Sequence, residues 1–194
     1  MILLGLSGTN GSGKDSLAQF LVEEHNFLFV SSSDLLREEA RKRGLGVERD
    51  VLRDISAEWR RQSGLGVLVD KAIETYKSEG GDVAYAGLIT GSLRNPGEAD
   101  HLHELKGKMI WLDADPKVRF NRITSKDRGR GDLENNHSYE KFIADEVLEM
   151  DHSGDHATLS LAGVKDRCDI FIENDSQDIS TFNKLIAKSL GLEP

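Results

Sequence analysis

The sequence of 194 residues has a single cysteine, Cys168, and fewer basic than acidic side chains. One cysteine excludes a disulfide bond within the chain, so we expect a protein of a reducing, cytoplasmic compartment. The 34 acidic and 25 basic residues give a formal charge of −9, which disfavours general nucleic-acid binding. No apolar run is long enough to cross a membrane, and the apolar start at residues 1–6 is too short and uncharged for a signal peptide. We therefore expect small-molecule partners, with no nucleic acid and no membrane.

The glycine-rich stretch at residues 8–16 follows this apolar start and indicates phosphate binding. It fits the pattern G-x-x-x-x-G-K-[ST], except that Asp15 takes the hydroxyl position and Ser16 comes next. Glycines allow successive backbone N–H groups to converge on phosphate oxygens, and the lysine reaches the β- and γ-phosphates of a nucleoside triphosphate. An apolar strand before the loop and an amphipathic helix after it supply the required context, against the alternative of a glycine-rich turn without a ligand. The residues predicted to bind the triphosphate are Gly8, Asn10, Gly11, Ser12, Gly13, Lys14, Asp15 and Ser16.

The remaining chain alternates apolar strand patterns with helical patterns. Four further strands are predicted at residues 27–30, 83–89, 108–112 and 169–172. This alternation predicts an α/β fold in which helices cover both faces of a parallel sheet, within one domain of residues 1–194. Two segments exceed a minimal alternating sheet: a helical segment at 31–80 and a polar, glycine-containing segment at 126–137. Insertions of this kind often cover a substrate.

Six basic side chains lie between Lys117 and Arg130, with one acid among them. Arg119 and Arg122 are three residues apart and share a helix face, whereas Arg128 and Arg130 fall in the polar segment. Phosphoryl transfer needs fixed positive charge around the migrating group, and the planar guanidinium suits phosphate oxygens. The cluster therefore predicts an anion site, and its alternative is a solvated basic surface.

The order of these motifs resembles the P-loop kinases of the nucleoside monophosphate kinase group, which includes adenylate kinase, dephospho-CoA kinase and archaeal adenylate kinase-like proteins. Besides the glycine-rich loop, Ser33 to Arg37 resembles the family's G-D-x-x-R, and Gly91 to Arg94 resembles its D-G-x-P-R. The resemblance implies a three-layer fold with a five-stranded parallel sheet, a helical acceptor-binding insert at 31–80 and a short lid at 126–137. It also implies ATP and Mg²⁺ as the cofactors.

The resemblance assigns roles to individual residues. Asp34, Arg37 and Arg94 would bind the phosphate of the acceptor. Glu98 stands where adenylate kinase has a glutamine that reads the acceptor adenine, and an ionised carboxylate there would favour a base edge rich in donors, such as guanine or cytosine. The residues expected to act on the transferring group are Lys14, Arg119, Arg122, Arg128 and Arg130.

One departure from the family concerns magnesium. Thr90 stands where the family has an acid that organises the ion, and we expect Asp15, together with Ser16, to hold the metal instead. We therefore predict an ATP-dependent kinase that phosphorylates a nucleoside monophosphate or similar acceptor, as a monomer or homodimer. The alternatives are a dephospho-CoA kinase-like enzyme that phosphorylates a hydroxyl group, and a nucleotide-binding regulator without turnover.

Overall fold

The computed structural model describes residues 1–125, 138–150, 154–175 and 178–192. Its centre is a sheet of five strands: β1 (Ile2–Gly8), β2 (Phe27–Ser31), β3 (Gly87–Gly91), β4 (Lys108–Asp113) and β5 (Ile170–Glu173). The strand order is β2-β3-β1-β4-β5, and every neighbouring pair is parallel. The carboxyl ends of all five strands therefore meet at one edge of the sheet, where ligands bind in open α/β folds.

Helices cover both faces of this sheet. In the described part of the chain they are α1 (Lys14–His25), α2 (Ser32–Lys42), α3 (Arg49–Ser63), α4 (Val67–Ser78), α5 (Gly81–Ala84), α6 (Pro96–Glu104), α7 (Pro116–Thr124), α8 (Tyr139–Met150), α9 (Leu161–Lys165) and α10 (Ile179–Leu190). Side chains of β1 alternate between the two faces: Leu4 and Leu6 join one core cluster with α1 and α10, whereas Leu3 joins the other with α4, α6 and α9. This gives three layers, as predicted for the fold class.

The predicted strands match the observed ones with one clear difference. The strand predicted at 83–89 begins only at Gly87 and continues to Gly91, while Gly81–Ala84 forms the short helix α5. Gly80 and Gly81 adopt positive φ angles of 108° and 55°, which turn the chain before the strand can start. Val83 is 98% exposed, so its apolar side chain does not contribute to the sheet.

Three of the four helices between β2 and β3, namely α2, α3 and α4, form the helical segment predicted at 31–80. They pack around an apolar cluster of their own that includes Leu36, Ile55 and Leu68, and α4 also packs on the sheet. Glycines follow the ends of α2 and α3, where Gly44 and Gly64 have positive φ angles of 69° and 95°. The lid predicted at 126–137 lies outside the described residues. Over the part of the chain that the structure describes, no helix is long and apolar enough to span a membrane.

Candidate active site

The glycine-rich loop connects the end of β1 to the start of α1, as the sequence predicts. Gly8, Gly11 and Gly13 have φ angles of 139°, 80° and 103°. A Cβ atom on Gly8 would lie 2.0 Å from the carbonyl oxygen of Leu112 in β4, so no side chain fits there. Positive φ at three positions turns the backbone around the N-terminus of α1, which adds its own N–H groups and dipole to an anion site.

Lys14 folds back over this loop. Its Nζ donates to the carbonyl oxygen of Gly8 at 2.9 Å and also to that of Thr9. Burial, together with the smaller effect of the positive charge of Arg94, lowers the pKa of Lys14 from 10.5 to about 8. A bound phosphate would offset this loss of hydration with opposite charge, which is the environment that a buried ammonium needs.

A cleft of about 710 Å³ runs from the glycine-rich loop to the helical segment between β2 and β3. Asp34, Arg37 and Arg94, which were predicted to bind the acceptor, all line it. The Ser31 hydroxyl caps α2 by accepting from the backbone N–H of Asp34, so Arg37 lies one turn into a helix that starts at the ligand-binding edge of the sheet. Arg37 donates to Asp34 at 2.7 Å.

Three further arginines that sequence reasoning missed, all on α3, also line the cleft. Arg49 and Arg53 lie one turn apart on α3, and Ser56 and Arg60 continue the same stripe. The Nε of Arg53 is buried and has no hydrogen-bond partner among the described residues. These four residues are spaced by four, three and four positions in the sequence, which places their side chains on one helix face. The sequence alone could therefore have indicated this set.

Glu149, in the last turn of α8, is an acidic side chain of the cleft that was also missed. Its Oε1 accepts from Arg49 at 3.0 Å and from Arg94 at 3.1 Å, and its side chain is only 12% exposed. No sequence pattern pairs Glu149 with either arginine, since the contact depends on where the packing of α8 on α7 and α9 places its last turn.

Glu98 does not lie in the cleft, which corrects the prediction that it reads the acceptor base. Its side chain is fully buried, and its Oε1 accepts from Nε and one NH group of Arg60 at 3.0 and 2.7 Å. Its Oε2 accepts from the backbone N–H groups of Arg94 and Asn95 at 2.7 and 3.0 Å. Asn95 and Glu98 form the capping box of α6, and this local pattern in the sequence explains the carboxylate better than base recognition does.

Arg119 and Arg122 lie behind the glycine-rich loop and not in the cleft. Arg119 is 2% exposed, donates to the carbonyl oxygens of Ala114 and Asn10, and forms an ion pair with Glu146 of α8. Arg122 donates to the carbonyl oxygens of Asn174 and, at 3.5 Å, Gly11. α7 packs closely against the loop, since a Cβ atom on Gly11 would lie 2.7 Å from the carbonyl oxygen of Arg119. In this arrangement both arginines hydrogen-bond the loop backbone, and their action on a transferring phosphate stays a prediction. Arg128 and Arg130 lie outside the described residues.

Few side chains near the glycine-rich loop could coordinate a magnesium ion. Thr90 is fully buried, its hydroxyl has no hydrogen-bond partner among the described residues, and it supplies no carboxylate. In the described ranges no group of three or more His, Cys, Asp or Glu side chains could hold a metal ion. Asp15 and Ser16 line the cleft at the start of α1, and Mg²⁺ commonly takes one or two protein oxygens and completes its shell with phosphates and water. These residues therefore fit an ion that is held jointly with a nucleotide.

Sequence comparison places the chain among known proteins. A family model described as an AAA domain matches residues 7–140, from the end of β1 to the start of α8. A UPF0200 protein of Pyrobaculum aerophilum is 27% identical over 190 residues, which cover 97% of this chain and 96% of the relative. A UPF0200 protein of Pyrococcus horikoshii is 32% identical over 137 residues, 68% of this chain and 70% of the relative. A cytidylate kinase of Methanocella arvoryzae is 25% identical over 191 residues, 97% of each chain.

Structural comparison agrees with the sequence comparison at the level of the fold. A shikimate kinase of Bacteroides thetaiotaomicron superposes with a TM-score of 0.61 at 14% identity and covers 98% of this chain and 99% of its own. A shikimate kinase of Acinetobacter baumannii in complex with shikimate gives a TM-score of 0.54 at 16% identity and covers 98% of this chain and 94% of its own. Together with the family match and the loop geometry, these similarities show that the chain belongs to the AAA-domain family, as a P-loop protein of the nucleoside monophosphate kinase-like type.

Proposed function

We propose that the protein is an ATP-dependent kinase that transfers the γ-phosphoryl group to the phosphate of a nucleoside monophosphate or a similar nucleotide-like acceptor. The observation that carries this proposal is the cleft, because it joins the glycine-rich loop to Arg37, Arg49 and Arg94. A donor at the loop and an acceptor at the arginines would face each other. The fixed positive charges between them would reduce the repulsion between two anions that must approach closely.

At the donor end, the loop N–H groups and Lys14 would hold the β- and γ-phosphates. Lys14 now donates to two loop carbonyl oxygens, so phosphate binding requires only that its ammonium exchange these acceptors for phosphate oxygens. Arg119 and Arg122 would keep the loop in shape from behind. Mg²⁺, held by Asp15, Ser16 and the donor phosphates, would neutralise the charge on the transferred group. Transfer then rests on position and electrostatics, without a covalent intermediate.

At the acceptor end, the charge of the cleft favours a phosphate over an uncharged acceptor. A long apolar acceptor such as pantetheine needs an apolar groove, whereas here arginines line the cleft from α2, from α3 and from the loop after β3. The similarity to cytidylate kinases supports a nucleotide acceptor. A cytoplasmic location and a monomeric or homodimeric state belong to the same proposal.

A nucleotide-binding regulator without turnover is the second candidate. It is favoured by Thr90, which is buried in β3 at the position where related kinases carry an acid. The two candidates differ in one measurable property, since only the kinase transfers the γ-phosphoryl group of ATP to an acceptor.

The experiment compares Arg37→Ala with Arg41→Ala, an exposed arginine one turn further along α2 that does not line the cleft. The assay measures phosphoryl transfer from ATP to a panel of nucleoside monophosphates, and calorimetry measures the affinity for a non-hydrolysable ATP analogue. We expect Arg37→Ala to raise the KM for the acceptor or lower kcat while ATP affinity stays unchanged, and Arg41→Ala to behave as the wild type. Loss of ATP affinity in Arg37→Ala would mean that the two ends of the cleft have been assigned in the wrong order.

A further inference from the structure

Glu149 occupies the arginine end of the cleft. A single oxygen of its carboxylate accepts from Arg49, which lies on α3, and from Arg94, which follows β3. These two arginines come from distant parts of the chain and converge on one point. A phosphate oxygen bound by both guanidinium groups would need this same point, because both donors now direct an N–H group at it.

Another acid of α8 that binds an arginine is placed differently. Glu146, one turn before Glu149, pairs with Arg119, whose side chain is buried behind the loop and outside the cleft. Glu146 therefore neutralises a permanently buried charge, whereas Glu149 neutralises two charges that a ligand can reach. The distinction matters because only the second type of contact can be exchanged for a ligand without unfolding the protein.

Glu149 and an acceptor phosphate cannot share this position. Both are anions, and the guanidinium groups present one pair of convergent donors. When phosphate binds, the Glu149 carboxylate must leave, and it is then free to move into solvent because it lies at the end of α8. If an internal contact leaves the site open in only a fraction of the molecules, the apparent affinity for the ligand is the intrinsic affinity multiplied by that fraction.

We propose that Glu149 is a built-in competitor that holds Arg49 and Arg94 until the phosphate of the acceptor displaces it. The inference rests on the proposed function in one respect, namely that a phosphate group binds at these two arginines. In this role Glu149 lowers the affinity for the acceptor phosphate. It also neutralises the charges of Arg49 and Arg94 when no acceptor is bound. The opposite role is that Glu149 only orients the two arginines, in which case its removal weakens phosphate binding.

The experiment titrates inorganic phosphate into the protein by calorimetry, with a non-hydrolysable ATP analogue present to fill the glycine-rich loop. The variants are Glu149→Gln, which removes the charge, and Glu149→Asp, which keeps the charge and shortens the side chain by one methylene. Glu140→Gln removes an equal charge from an exposed position in the first turn of α8 and is the matched control. Arg94→Ala shows that the measured phosphate is the one bound at the arginine end.

We expect Glu149→Gln to bind phosphate about tenfold more tightly than the wild type, which corresponds to a site that is blocked about nine-tenths of the time. Glu149→Asp should show a smaller increase because it reaches the two arginines poorly, and Glu140→Gln should show none. Weaker binding in Glu149→Gln, an equal increase in Glu140→Gln, an unchanged Glu149→Asp or no phosphate binding in any variant would each overturn the proposal.

The same variants separate this proposal from the proposed function. If Glu149→Gln binds phosphate more tightly but no nucleoside monophosphate is phosphorylated, the competitor role holds and the kinase proposal fails. If transfer occurs but phosphate affinity does not rise in Glu149→Gln, the kinase proposal holds and the competitor role fails. Thermal unfolding of each variant shows that the change in affinity arises in folded protein.

Discussion

The buried ion pair between Arg60 and Glu98 gives a prediction whose size follows from the structure. Both side chains are almost fully buried, and the Glu98 carboxylate accepts four hydrogen bonds, two from Arg60 and two from the backbone. In Glu98→Gln one oxygen becomes an NH₂ group, which places a donor against the donors of Arg60 or of the α6 N-terminus. Removing one partner of a buried pair costs about 3–5 kcal/mol, because the other charge stays buried without compensation.

This loss is large against a typical total stability of about 5–15 kcal/mol for a domain. For a protein of this size it corresponds to a fall in Tm of roughly 6–20 °C. The assay is urea denaturation followed by circular dichroism, with Glu104→Gln as the control. Glu104 lies at the other end of α6 and its side chain is 74% exposed, so its loss should change stability by less than about 0.5 kcal/mol. A Glu98→Gln variant as stable as the control, but with altered preference among acceptor bases, would refute the structural role and restore base recognition.

The remaining predictions concern the donor site. Lys14→Ala should weaken binding of a non-hydrolysable ATP analogue by about 1.5–3 kcal/mol, while the exposed Lys117→Ala should leave it unchanged. Because burial lowers the pKa of Lys14 to about 8, the protonated form of its side chain is lost as the pH rises from 7 to 9. The affinity for the analogue should therefore fall over this pH range in the wild type and stay constant in Lys14→Ala. Asp15→Ala should slow phosphoryl transfer and raise the Mg²⁺ concentration that transfer needs, whereas Asp15→Ser should retain activity. Equal Mg²⁺ dependence in the wild type and both variants would mean that Asp15 only caps the helix.

The sequence was sufficient for the parts of the site that are local in the chain. The glycine-rich loop, Lys14 and the first turn of α2 are each specified by a few consecutive residues, since glycine conformation and helix capping act over short distances. The positions of the strands were also predicted from local patterns, apart from the start of β3, where Gly80 and Gly81 turn the chain.

The parts of the site that the sequence did not reveal depend on tertiary packing. Arg49 and Glu149 are 100 residues apart, and their contact exists only because the tertiary fold brings the last turn of α8 beside α3. Arg119 pairs with Glu146 and donates to the loop backbone, and these contacts depend on how α7 packs against the loop and α8, which residue spacing does not encode. Glu98 was misassigned for a different reason, because a capping box and a base-binding position can use the same side chain.

The central claim is that the cleft transfers a phosphoryl group from ATP to an acceptor phosphate. The most direct measurement incubates the protein and Mg²⁺ with ATP labelled in the γ-phosphate and with each nucleoside monophosphate in turn, and follows where the label goes. The account predicts that label appears in a nucleoside diphosphate for at least one monophosphate, and that Lys14→Ala and Arg94→Ala both abolish this product. Label that stays in ATP or appears only in inorganic phosphate, with every monophosphate tested, would contradict the account.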